Sequence, residues 1–82
     1  MELKAGQVVR SLAGHDKGDY AVIAGFEKDK VLVCDGKHRL LEKPKLKNPK
    51  HLEATEMFLQ KDSMATNRKL RKTLNKIANP GG

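Results

Sequence analysis

The chain has 82 residues, 38% of them apolar and only 4% aromatic, so it holds one small domain, near the lower limit of what a core stabilises without disulfides or metals. It also lacks the material for a broad base- or sugar-stacking platform. Its single cysteine excludes an internal disulfide, and no apolar run approaches the roughly 20 residues of a membrane-spanning helix. The formal charge of +7 is lopsided: residues 1–36 carry five Lys/Arg against six acids, and residues 37–82 carry twelve against four. That imbalance points to a polyanionic partner, nucleic acid before anionic membrane.

The opening MELKAGQVVRSL shows no apolar stretch behind a basic leader, and with the lone thiol it sets the expectation of a reducing, cytoplasmic context. Residues 7–12 (QVVRSL) predict a short strand entered through Gly6, with a polar side outward. A charged corner bracketed by Gly14 and Gly18 comes next. Residues 19–26 predict a second strand, in which Tyr20, Val22, Ala24 and Phe26 alternate with Ala21, Ile23 and Gly25. Both faces are apolar, so this strand is covered on both sides or bends around a small barrel, with Gly25 easing the bend. After a charged turn at 27–29, residues 30–34 (KVLVC) predict a third strand. Asp35-Gly36 is a hairpin signal, which makes residues 38–41 the returning strand.

Short strands joined by short turns suggest a small antiparallel barrel, since closure removes exposed edges. Pro44 and Pro49 then interrupt the pattern, predicting an extended, irregular arm over 42–51 and an edge strand at 50–55. The last element has helical spacing. Leu70, Leu74 and Ile77 form an apolar stripe, while Arg68, Lys69, Arg71, Lys72 and Lys76 fall on the flanks and far side. Asp62, Ser63 or Thr66 is placed to cap its start, and Asn79-Pro80-Gly81-Gly82 to end it. So short a helix must pack on the barrel or on a partner. The chain thus divides into a barrel with its basic arm, 1–58, and a basic helix with its tail, 59–82.

The stretch GQVVRSLAGHDKGDYAVIAGF resembles the KOW motif: a hydrophobic strand, a loop closed by glycine, and a second hydrophobic strand. The matching positions are Gly6, Val8-Val9, Ser11, Gly14, Asp16, Lys17, Gly18 and the apolar run through Ile23. The segment from Lys30 to Glu53, KVLVCDGKHRLLEKPKLKNPKHLE, is similar to the KOW-bearing large-subunit ribosomal proteins of archaea and eukaryotes and to short bacterial proteins like them. The similarity spans residues 4–55, and the helical tail matches only loosely. It implies a mainly β fold, an SH3-like (KOW) antiparallel barrel followed here by a C-terminal basic helix. It also implies an RNA-binding protein of the translation machinery, with ribosomal RNA as ligand and ribosomal proteins as further partners. In that family the loop between the first two strands meets RNA or another protein.

Residue chemistry adds candidates independently. Gly14 and Gly18 permit a tight turn with close backbone approach, and His15 and Lys17 present donors to phosphate. Asp16 would repel phosphate and is expected to cap the turn's own amides. Lys37, His38, Arg39, Lys43, Lys45, Lys47 and Lys50 form a cationic track. Alternation at 43, 45 and 47 puts those lysines on one side of an extended chain, about 6 to 7 Å apart, close to the phosphate repeat of a nucleic-acid strand. Arg10 joins this set, as do Arg68, Lys69, Arg71 and Lys72, although a docked helix also shows charge to water in the ordinary way. Arg39 and Arg71 suit bidentate contact or stacking.

No catalytic constellation is expected. His15, His38, His51 and Cys34 lack zinc-finger spacing, Cys34 sits in an apolar strand, and no phosphate-cradling glycine loop is present. The expectation is a cytoplasmic, cofactor-free and metal-free RNA binder, not an enzyme, monomeric when free. The rivals are a protein-interaction module, as KOW domains serve in transcription elongation factors, and a nonspecific duplex-DNA binder.

Overall fold

Adjacent residues of a strand point to opposite faces, and three adjacent apolar pairs therefore supply two cores at once. The computed structural model of the protein describes residues 3–80. In it, Val8 and Val9 lie on β1 (Gln7–Ser11), Val22 and Ile23 on β2 (Tyr20–Glu27), and Val33 and Cys34 on β3 (Lys30–Cys34), all buried. Val8, Val22 and Cys34 stand in one cross-strand row, which packs against Leu70 and Leu74 of the helix α1 (Asn67–Ala78). On the other face Val9, Ile23, Val31 and Val33 meet Leu52 of β5 (Leu52–Phe58).

The result is a five-stranded antiparallel sheet in the order β4-β3-β2-β1-β5, with β4 at Lys45–Lys47. Flat, such a sheet would hold its edge strands about 19 Å apart. The link between those edges is only Asn48 and a 3-10 turn, Pro49–His51, which rises about 2 Å per residue. The sheet must curl to let β5 follow β4, giving a mainly β, barrel-like fold with one C-terminal helix.

β1 is buried on both faces except at Arg10, so the outward polar side expected from its sequence is absent. Gln7 and Ser11 alternate with Val9 on the inner face, where the curl of the sheet buries them, while α1 covers Val8 on the other face. In β2, Ile23 pairs with Val33 and Gly25 with Leu32, so Ala24 is the extra residue of a bulge. The shift moves Phe26 out of the row of Val22 and pairs it with Val31, leaving it half exposed.

Residues 38–41 form no returning strand. Asp35 Oδ1 accepts the N–H groups of Lys37, His38 and Arg39 at 2.8–2.9 Å, and the N–H groups of Asp35 and Gly36 both donate to the Arg39 carbonyl. One carboxylate thus closes a compact loop where a two-residue turn was expected. The strand that pairs with β3 is β4, beyond Pro44. Residues 42–51, expected to be irregular, therefore hold an edge strand and a 3-10 turn whose N-cap is the Asn48 side chain. The strand expected at 50–55 is β5, starting two residues later and running to Phe58.

The helix follows its sequence closely. Thr66 Oγ1 caps it by accepting the Lys69 N–H, Leu70 and Leu74 are buried, and Ile77 packs partly against the same cluster. Its first turn is tied down by Asn67, whose side chain accepts from the Leu41 N–H and donates to Glu42. Gly36, with φ +79°, nestles under that turn. Asn79 terminates the helix, while Gly81 and Gly82 lie outside the described residues. Among the described residues no helix is long and apolar enough to cross a membrane.

Candidate nucleic-acid interface

The glycine-bracketed corner connects β1 to β2. Gly14 and Gly18 have φ of +86° and +90°, a region that costs L side chains strain. Their geometry lets Lys17 N–H reach the Gly14 carbonyl and Asp19 N–H the Asp16 carbonyl, while the Gly18 N–H donates to the Ser11 carbonyl and the Ser11 N–H to the Asp19 carbonyl, ending the ladder. The corner is therefore locally self-satisfied, and His15 and Lys17 are left exposed on it.

The Asp16 side chain meets its own backbone N–H, as expected of a turn cap, and also reaches beyond the turn. Its Oδ1 accepts from Ser11 Oγ at 3.2 Å and from Lys47 Nζ at 2.9 Å. Burial alone would raise its pKa, but the hydrogen bond and charge of Lys47, its own backbone N–H and the Ser11 hydroxyl outweigh burial and hold the carboxyl below its ordinary value.

The same contact removes Lys47 from the cationic track. Cross-strand partners share a face, and Lys45 and Lys47 lie opposite Val33 and Val31, residues of the inner cluster. The alternation that aligns these lysines therefore turns them toward the inner side. The Lys47 stem reaches to Ser11 and Asp16, leaving its side chain only 11% exposed. Lys43 stands in a turn, its N–H donating to the Leu40 carbonyl, so 43, 45 and 47 do not form one row. Lys43, Lys45 and Lys50 are exposed.

Other expected contacts divide similarly. Arg10 is exposed but donates Nε to the Gly18 carbonyl at 3.4 Å and lies 3.9 Å from Glu53. Lys69 reaches Asp62 at 3.1 Å, and Arg68 and Lys72 are exposed on α1. What the fold brings together are three segments distant in sequence. A cleft of about 160 Å³ is lined by Gly18, Lys37, His38 and Arg71 among others. Beside it, a cleft of about 260 Å³ is lined by His15, His38 and Arg39 together with Asp16, Asp19 and Asp35. Asp19, Asp35 and His38 border both. The Arg39 Nε is buried and has no hydrogen-bond partner among the described residues.

Sequence reasoning missed Asp19 and Asn75 as lining groups and Lys47 as a structural one. None of the three has a local signal, since each takes its place from segments packed across the fold. Cys34 carries no chemistry here: burial first, and the Asp35 charge second, push its thiol up to about 11, so it stays protonated at neutral pH. Among the described residues no cluster of His, Cys, Asp and Glu could hold a metal ion. The exposed Met57, Phe58 and Phe26 lie toward the end of the sheet away from the corner, as the pairings Gln7 with Phe58 and Phe26 with Val31 require. No protein-family model and no curated protein matches the chain.

Proposed function

We propose that the protein binds structured RNA by neutralising phosphates at the corner end of its sheet, in association with the ribosome, as the KOW-like pattern of residues 4–55 implies. One observation supports this most: basic side chains scattered over 57 positions in the chain, from His15 and Lys17 through Lys37, His38 and Arg39 to Arg71, gather on or beside neighbouring clefts that Asp16, Asp19 and Asp35 also line. Exposed backbone and cationic side chains on a rigid support suit phosphate contact.

Sedimentation of the protein with native lysate through a density gradient tests the assignment. Co-migration with large ribosomal particles, lost after RNase treatment, is the expected result. Migration at the top of the gradient at low salt overturns ribosome association. Competition with duplex DNA of equal length separates an RNA binder from a general polyanion binder.

A further inference from the structure

The paired clefts contain more acid than phosphate binding asks for. Asp16, Asp19 and Asp35 line them alongside His38, Arg39 and Arg71. Two of the three carboxylates are already employed: Asp16 holds Lys47 and Ser11, and one oxygen of Asp35 accepts three backbone amides. Asp19 is different. It borders both clefts, and among the described residues its side chain has neither a hydrogen bond nor an ion pair. Opposite in kind, the Arg39 Nε is a buried donor without an acceptor. Such an orphan is costly to leave unmet, and an acceptor brought by a ligand would relieve it.

We infer that these clefts receive one unpaired guanine of the RNA, a step that rests on the RNA-binding proposal and extends it to a ligand. Size is suitable, since a cavity of about 150 Å³ holds one six-membered ring, and here a cleft of about 160 Å³ adjoins a second of about 260 Å³. The walls are suitable: Tyr20, Leu74 and Ala78 give an apolar side against which a ring lies, and unstacked bases are held by such contacts together with bonds to their edges. Edge chemistry then selects among the bases. Guanine presents adjacent N1–H and N2–H donors, which a free carboxylate such as that of Asp19 accepts together. Its O6 and N7 acceptors suit an arginine donor, here Arg39. Adenine and cytosine offer a carboxylate only one amino group, and uracil flanks its single N–H with two carbonyl oxygens that a carboxylate repels. Lys37 and Arg71 border the same cleft and supply charge for the flanking phosphates.

The test uses RNA hairpins identical except for one bulged nucleotide, G, A, C, U or inosine, with a fully paired hairpin as control, titrated by fluorescence anisotropy. The G bulge should bind about tenfold tighter than the A, C and U bulges, as one bidentate edge contact provides, and inosine, which lacks the N2 amino group, should lose most of that gain. Asp19→Asn should erase the preference for G while leaving affinity for the paired hairpin within about twofold. The Asp19 side chain is exposed and unbonded, so this variant should melt with the wild type, which a thermal scan checks. Equal binding of all bulges, or a preference for G that survives Asp19→Asn, overturns the guanine site and leaves RNA binding standing. Failure of every hairpin to bind overturns both.

Discussion

Replacing Lys47 by methionine keeps much of the stem and removes its charge. In the native protein the ammonium lies 2.9 Å from Asp16 Oδ1, with side chains 11% and 33% exposed respectively. An exposed ion pair is worth about 0–1 kcal/mol, and removing one partner of a fully buried pair costs about 3–5 kcal/mol. With Lys47 largely buried and Asp16 one-third open to water, the loss should fall between these limits, at about 2 kcal/mol, in keeping with hydrogen bonds to charged groups. For a domain of this size that is a fall in Tm of about 8–16 °C. Lys47→Glu should do more harm, because it sets a second carboxylate against Asp16. Lys45→Met, at an exposed position, should stay within about 0.5 kcal/mol of wild type. Acid supplies an internal check. The folded-state pKa of Asp16 is depressed, so the pair's contribution is complete above about pH 4, the ordinary carboxyl value, and is lost as pH falls through the lower folded value. Thermal melts by circular dichroism should show a wide gap between wild type and Lys47→Met at pH 7 that narrows as acid protonates Asp16. A Lys47→Met variant that melts like Lys45→Met, or a gap indifferent to pH, would refute the assignment of Lys47 to the fold.

Gly36→Ala should destabilise the domain and loosen α1, because φ is +79° and a Cβ would run into the Asn67 carbonyl oxygen; hydrogen exchange across residues 67–78 would show faster opening than in wild type. Leu70→Ala, truncating a fully buried side chain between helix and sheet, should cost about 2–5 kcal/mol, read from urea unfolding, and a loss well below that range would contradict the helix-covered core. Cys34 should resist alkylation at pH 8 in the folded protein and react at once in denaturant, since its thiol is buried and its pKa is pushed to about 11; rapid labelling of the native state would show that α1 does not cover it.

Local pattern carried β1, β2, β3 and α1, because each has enough apolar residues at its own period to declare itself. Thr66 is legible as a cap on different grounds, since a side-chain oxygen just ahead of the apolar stripe can accept a first-turn N–H. β4 declares nothing. Three residues, Lys45-Leu46-Lys47, become a strand only because the edge of β3 is there to pair with. The Asp35-Gly36 turn misled because its carboxylate captures three amides and folds residues 36–39 into a loop, so chain reversal is delayed until after Pro44. The two glycines of the corner were legible as a turn. The partner of Asp16 was not, since Lys47 is 31 residues away and its alternation with Lys45 reads equally well as a row facing solvent. Candidate contacts at the clefts were legible singly, as cationic residues near turns. Their grouping depends on α1 docking beside the corner, which no spacing records.

The most direct test compares charge reversal at the two ends of the sheet. Lys37→Glu with Arg71→Glu alters the corner end, whereas Lys28→Glu with Lys30→Glu alters the β2–β3 turn. The eight residues of β2 separate the two, about 23 Å at 3.3 Å per residue, which exceeds the roughly 8 Å screening length at physiological salt. RNA affinity measured across a salt series should fall at least tenfold in the corner-end variant, with the slope of log K against log salt reduced by about two, and should change less than about threefold in the other. Equal losses from both ends, or a salt slope unchanged by the corner-end reversal, would contradict phosphate recognition at the corner.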